Sequence, residues 1–307
     1  MLNSIRDPLA AQKTVRAIDC SGRNLVSRVF DVAHNNDQYF ASQLYDQRYP
    51  RPNPSSFAIV AREIQEGRVR VLDFGCGNGR YAAPLLEQTN AMIVACDISR
   101  EAIDELSVRC AKHVDTGRLR PVCGDLSVLT NTMGRGERFD LAILMFGVLG
   151  HIFSRALRQK TLAVIRGLLR PGGRIIVTVP NAARRFLKQQ VVARRWVQEG
   201  HFEPGDILYE RKADHVVVKM YYHLYTLEEF MLEFEQQGFR LIQVGAESFL
   251  PESGVVRSTT LHWLDRALAI IAPLRYAHGF LAVAEVAPDA DQVARAPQIP
   301  ACQDKLG

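Results

Sequence analysis

Several common signatures are missing from this 307-residue sequence, and each absence excludes a class of function. Its six cysteines (Cys20, Cys76, Cys96, Cys110, Cys123 and Cys302) are scattered, with no CxxC pair and no Cys/His cluster at metal-ligand spacing. That leaves no metal site and no disulfide framework, and marks the cysteines as free thiols. No apolar run reaches the roughly 18 residues of a membrane span, because Arg266, Arg275 and His278 interrupt the stretch from Leu261 to Val286. Arg6, Asp7, Lys13 and Arg16 break up the first segment, so no secretory signal is read and a cytoplasmic protein is expected. No repeat of fixed period is visible, which excludes a solenoid. Neither sign of charge dominates: the net charge is +5 and the pI about 8.9. Such a balance tolerates a polyanionic partner without demanding one.

What is present is a core-forming composition, 47% hydrophobic and 23% charged, consistent with one enzyme domain carrying added segments. Residues 1–36 lack a clean period and read as a loose leader, and 37–68 as an amino-terminal cap. Within the cap, DQYFASQLYDQRY suits short helices, RYPRPNPSS a turn or extended linker, and Phe57 to Gln65 a helix. From 69 to 180 strands and helices alternate: VRVLDF, the turn GCGNGR, helical YAAPLLEQ, AMIVACD, the helix SREAIDELSVRCAKH opened by Ser99, LRPVCGD, FDLAILMF, the helix RALRQKTLAVIRGLL stopped by Pro171-Gly172-Gly173, and GRIIVTVP. This alternation predicts an α/β fold, a doubly wound and mostly parallel sheet with crossover helices. The alternation lapses over 181–225, an insertion after the fifth strand holding a basic run and one strand, HVVVKMYYHLY. Residues 226–287 complete the sheet, and 288–307 read as a flexible tail. The amphipathic stretch LHWLDRALAIIAPLRYAHGF is expected to pack under the last strand, with contact to a membrane surface or a partner as its other reading.

The most specific motif is Asp73-Phe74-Gly75-Cys76-Gly77-Asn78-Gly79, where a buried strand ends and a helix begins. Bare glycine backbone there admits a ligand. A dinucleotide fold would place a third small residue where Arg80 stands, which counts against NAD. Acids recur at the ends of three successive strands, Asp73, Asp97 and Asp125, and in an open parallel sheet they would line one crevice. Each suits a part of S-adenosylmethionine: Asp97 the ribose hydroxyls, Asp125 the adenine amino group, Asp73 the cationic amino-acid end.

With VLDFGCGNGR, ACDIS, CGDLS, FDLAILMFGVLGH and LLRPGGRIIVTVPN in this order, the sequence resembles the class I S-adenosylmethionine-dependent methyltransferases over about 70–179 and again over 227–286. The resemblance implies a seven-stranded Rossmann-like sheet whose last strand is antiparallel, S-adenosylmethionine as cofactor, glycines 75, 77 and 79 against its methionine part, and ribose on Asp97. The expected cofactor set is Asp73, Gly75, Cys76, Gly77, Asn78, Gly79, Asp97, Ile98, Asp125, Leu126, Met145 and Phe146.

Methyl transfer is an in-line displacement that asks mainly for alignment and, where the nucleophile carries a proton, a base. The segment Met145 to His151 should border the methyl group, making His151 the candidate base or substrate ligand beside a bland loop-holding role. Tyr45, Arg48, Tyr49, Tyr222 and His223 complete the expected acceptor side. There is no Asn/Asp-Pro-Pro-aromatic motif for nucleobase amines and no cysteine nucleophile for a pyrimidine ring. YDQRYPRPNP, FGVLGH and YYHLY give a narrower similarity to the methyltransferases that esterify carboxymethyl groups on wobble uridines of tRNA. Gly150 stands where that pattern usually has the first of two adjacent histidines. The basic run Arg184, Arg185, Lys188, Arg194 and Arg195 suits phosphates or a solvated helix face, and Tyr221, Tyr222 and Tyr225 suit packing or a lid. The reading that asks least of the sequence is oxygen or nitrogen methylation of a small-molecule acceptor (lipid, quinone-like or natural product). The alternatives are the tRNA reaction and a catalytically silent, methyltransferase-like partner subunit. Intact glycines and acids argue against the silent subunit.

Overall fold

The computed structural model describes residues 32–213 and 216–287; the remainder of the expected leader and the expected tail lie outside the described residues. In chain order come α1 (Val32–Ala41), α2 (Leu44–Arg48), α3 (Pro54–Gln65), β1 (Arg70–Phe74), α4 (Ala82–Gln88), β2 (Met92–Asp97), α5 (Arg100–Arg109), α6 (Ala111–Asp115) and β3 (Leu119–Cys123). Then follow α7 (Leu126–Thr132), β4 (Phe139–Leu144), α8 (Val148–His151), α9 (Arg155–Leu168), β5 (Leu169–Pro180), α10 (Leu187–Gln198), β6 (Asp206–Ala213) and β7 (Val216–His223). The chain closes with α11 (Leu227–Gln236), β8 (Phe239–Ser248), α12 (Glu252–Val255), α13 (Thr259–Ile271) and β9 (Gly279–Val286).

The main sheet runs β3-β2-β1-β4-β5-β9-β8, with β1 to β5 parallel and β9 antiparallel to both its neighbours. Strand order reverses between β1 and β4, so the carboxyl ends of these two strands open the crevice in which such sheets bind ligands. One apolar layer, with Leu162, Ile165, Phe230 and Phe234, covers one face. A second, with Val60, Ile64, Leu85 and Leu106, covers the other. Continuous runs such as Leu141 to Leu144 are fully buried because helices lie on both sides.

Ser99 caps α5 through its Oγ, which accepts from Ala102 N, as its position before the apolar period predicts. The helix expected from Phe57 starts earlier, at Pro54, because the Asn53 side chain accepts from Ser55 N and proline is tolerated in a first turn. Likewise α1 begins at Val32, inside the stretch read as leader.

The insertion departs most from expectation. The strand read in HVVVKMYYHLY pairs antiparallel with a second strand, Asp206–Ala213, whose charged residues gave no strand signal. With α10 this hairpin packs on the amino-terminal cap, where Tyr39, Phe40, Tyr45 and Tyr49 meet Ile207, Tyr209, Met220 and Tyr222 in a third apolar cluster. Cap and hairpin together roof the carboxyl end of the sheet. The stretch expected to pack under the last strand does so only in part. Asp265 is buried and accepts from Phe249 N and Leu250 N, and Leu268 joins the core, but Trp263 is 62% and Ile270 84% exposed. No helix among the described residues is long and apolar enough to cross a membrane.

Candidate active site

A cavity of about 480 Å³ runs from the end of β1 to the hairpin. At its sheet end the glycine turn is bare for a reason. Gly75, Gly77 and Gly79 have φ of 75°, 53° and 85°, which side chains rarely adopt. A Cβ on Gly75 would lie 2.5 Å from Val148, and one on Gly77 3.0 Å from Phe40. Gly79 serves packing, since its Cβ would strike Leu106 of α5 at 2.3 Å, and it does not line the cavity. Asn78 likewise turns away from the cavity; its Nδ2 lies 2.9 Å from the Asp46 carboxylate and 3.1 Å from that of Glu105, pinning α2 to the turn.

Of the three acids, Asp97 is held by two backbone donors, Gly77 N at 2.8 Å to Oδ2 and Ser99 N at 2.9 Å to Oδ1. Burial raises its pKa against those bonds. Asp73 is 2% exposed and its Oδ2 has no hydrogen-bond partner. Burial, and then the charge of Asp97, push its carboxyl up to about 8. An unpaired buried carboxylate of this kind is stable only beside a cation. Asp125 is exposed and caps α7, accepting from Ser127 N at 2.9 Å and Val128 N at 3.1 Å through Oδ1, which leaves Oδ2 for a ligand. Cys76, Ile98, Leu126, Met145 and Phe146 also line this end. The residues present therefore fit S-adenosylmethionine: an orphaned acid for an ammonium group, a glycine cradle with no room for side chains, and two further acids with acceptor capacity in line with it.

The roofed end is aromatic. Phe146 adopts φ 64°, an uncommon conformation for a bulky side chain, held by Thr178 Oγ1, which accepts from Phe146 N at 2.7 Å. Its ring packs against Tyr49 at 4.4 Å and under the Arg80 guanidinium at 4.6 Å. Arg80, the residue that breaks the dinucleotide pattern, is a buried strut that donates to Arg51 O at 2.8 Å and Glu252 Oε1 at 2.6 Å. His151 stacks on Tyr222 with ring centroids 4.2 Å apart, and its Nδ1 donates to Tyr221 O at 3.0 Å. That carbonyl can only accept, so the tautomer leaves a lone pair on Nε2. Burial drives the imidazole pKa down to about 4, helped by Arg211 and Arg185, and the ring is neutral.

Tyr45, Tyr49, His151 and Tyr222 line this cavity, and Arg48 lies in a smaller pocket that adjoins it. His223 does not line it. Alternation along β7 sends Tyr222 inward and Tyr221 and His223 to the opposite face, where both reach Asp206 Oδ1 at 2.6 Å. Tyr225 is a packing residue, its hydroxyl donating to Glu233 at 3.0 Å. The basic run divides: Arg185 reaches the cavity wall, while Lys188, Arg194 and Arg195 lie on the exposed face of α10. Tyr209 and Arg211 also line the cavity without having been singled out in the sequence. Their signal was the i, i+2 spacing of Tyr209 and Arg211, legible only once β6 is known to be a strand.

Residues 71–173 match a family model described as a methyltransferase domain. Among curated proteins the chain is similar to the "Probable tRNA methyltransferase 9B" of Bos taurus, 29% identical over 173 residues, which is 53% of this chain and 32% of that protein. The chain thus spans about a third of that relative's length. Among solved structures it is similar to the CcbJ methyltransferase of Streptomyces caelestis (16% identity, 84% of this chain and 100% of that one, TM-score 0.58). It is also similar to the 1,6-didemethyltoxoflavin-N1-methyltransferase of Burkholderia thailandensis (21% identity, 83% and 89%, TM-score 0.51). These two likenesses concern the fold.

Proposed function

The chain carries a class I methyltransferase domain whose cofactor is S-adenosylmethionine, and from that premise we propose that it methylates an oxygen or nitrogen of a small, largely apolar acceptor. The observation that carries this reading is the neutral, half-buried His151, its Nε2 lone pair left over by the Nδ1 bond to Tyr221 O, in an aromatic cavity roofed by cap and hairpin. Asp73, the backbone of Gly75 and Gly77, Asp97, Asp125 and the side chains of Ile98, Leu126, Met145 and Phe146 would hold the cofactor. When bound, it supplies a methyl group on a sulfonium, released as the acceptor's lone pair bonds to carbon and the carbon–sulfur electron pair stays on sulfur. Phe146, Tyr45, Tyr49 and Tyr222 would align the acceptor and exclude water. His151 Nε2 takes the proton where the nucleophile carries one, and only positions an acceptor that is already an anion.

Gly150 favours this reading over the tRNA reaction. A Cβ there would lie 2.7 Å from His223 O and 2.9 Å from the Tyr222 ring, so the hairpin occupies the place that a histidine at 150 would need. The tRNA reading is supported by the name of the Bos taurus relative. The experiment is incubation of the purified protein with methyl-labelled S-adenosylmethionine and a cell extract split into dialysable molecules and RNA. Label is expected in the dialysable fraction; label in RNA alone would replace this reading with the alternative.

A further inference from the structure

Next to the roofed end lies a second pocket of about 210 Å³ that shares Tyr49, Phe146, Arg185 and Arg211 with the main cavity. Its chemistry differs from that of the aromatic cavity. Arg48, Arg184, Arg185 and Arg211 all face it, and among the described residues none of the four has a carboxylate within ion-pair distance. The one carboxylate in its wall, Glu252, is already bound to Arg80 at 2.6 Å. Glu247, close by, is pushed toward its neutral form by burial and by the charge of Glu252. His278 in the same wall is neutral, its pKa driven down to about 3 by burial and by Arg185 and Arg184. The pocket therefore holds net positive charge.

Aromatic rings hold these guanidinium groups in place. Arg211 lies 4.7 Å from the Tyr209 ring centroid, and Arg185 lies 5.3 Å from Phe186 and 5.7 Å from Tyr222. A guanidinium stacked on a ring keeps its in-plane N–H edge free, and that edge matches the two oxygens of a carboxylate or phosphate. Arg48 and Arg184 are solvent-exposed at the rim, whereas Arg185 and Arg211 are half-buried, and two half-buried cations on one wall without a carboxylate partner favour an anion that completes them.

We propose that the acceptor is an acid, whose carboxylate or phosphate docks on Arg185 and Arg211, with Arg48 at the rim, while its apolar body fills the main cavity toward His151. This rests on the small-acceptor reading above and names its substrate class. The anionic group is the handle, not the atom methylated. Neutral molecules of the same shape are discriminated against because they would leave the guanidinium groups unpaired.

The test is calorimetric titration of the full chain, saturated with S-adenosylhomocysteine, with 1-naphthoate, benzoate and inorganic phosphate. 1-Naphthylmethanol and benzyl alcohol serve as uncharged counterparts. At least one acid should bind about tenfold or more tightly than its alcohol. In R185Q/R211Q that preference should vanish, with the affinity for the alcohol and for S-adenosylhomocysteine unchanged. If the double variant loses S-adenosylhomocysteine binding, R211Q, on the hairpin, carries the same comparison. Failure of all three anions to bind, equal binding of acid and alcohol, or a preference that survives the substitutions would overturn the site. In that event labelled small acceptors would leave the methyltransferase reading standing. Label confined to RNA with the anion preference intact would assign the arginines to an RNA phosphate and overturn the small-acid substrate.

Discussion

Asp73 makes the sharpest residue-scale prediction. Its buried carboxyl keeps its proton up to about pH 8 when no cation is present, whereas an unfolded aspartate loses it near 4. The folded chain thus holds an extra proton between these values, and the stability tied to it is lost as pH rises through about 8. On the proposed placement of the cofactor's ammonium group beside Asp73, binding expels that proton. Calorimetry of S-adenosylhomocysteine in buffers of different ionisation heat should therefore show release approaching one proton near pH 6, falling away above about pH 8. D73N should abolish the release and weaken binding. Asp97→Ala should cost about 2–3 kcal/mol of cofactor affinity, the scale of lost charge-assisted hydrogen bonds; unchanged affinity would remove Asp97 from the ribose. His151 has the opposite sign to Asp73. It is held neutral with a pKa of about 4, so stability present above the ordinary histidine value near 6.5 is lost as pH falls toward 4. His151→Gln should blunt that acid-side fall in Tm and lower kcat more than it raises KM, whereas an unchanged kcat would leave the ring a merely structural role.

At the scale of elements, the hairpin and the loop after β4 are fitted to each other. A Cβ on Gly147 would lie 2.0 Å from the Tyr222 hydroxyl, and this glycine has φ 74°. Gly147→Ala should destabilise the chain by about 1–3 kcal/mol, as overpacking does, and Tyr222→Phe should return part of that loss in a double-mutant cycle measured by denaturant. If the two substitutions are additive, the steric account is wrong and only backbone strain remains. A second junction joins α9, α11 and the insertion through Arg158, which is fully buried. Its Nε lies 3.3 Å from Glu233 and its Nη2 3.2 Å from Glu203. Arg158→Met removes the cation beside the buried Glu233 and should cost about 3–5 kcal/mol of stability without changing the affinity for S-adenosylhomocysteine.

For the whole molecule, the cap covers part of the main cavity and is tied to the core at polar points. Asp37 Oδ1 accepts from Ser99 Oγ at 2.6 Å, and Asp46 holds Asn78. Both ties end on the turns that follow Asp73 and Asp97, the acids proposed to hold the cofactor. Hydrogen exchange over 32–49 should therefore slow when S-adenosylhomocysteine is bound, and Asp37→Ala should reduce that protection. No change in exchange on binding would mean that cap and cofactor are independent.

The alternation of apolar strands with capped helices was enough to specify the parallel sheet, because each strand buried on both faces reads as a continuous apolar run and each helix shows its 3.6 period. The glycine turn, Asp97 and the segment ending at Phe146 were equally legible, since bare backbone and strand-end acids are local features of the chain. The acceptor side was not. Arg185 and Arg211 are far from Tyr45 and Tyr49 in the chain; the turn after β5 places Arg185, and the pairing of β6 with β7 and the packing of that hairpin on the cap bring Arg211 to the same wall. Sequence alone likewise placed Tyr222 and His223 together, and strand alternation parted them. Local chemistry determined the half of the site proposed for the cofactor, and long-range packing, which no short window of residues contains, decided the half proposed for the acceptor.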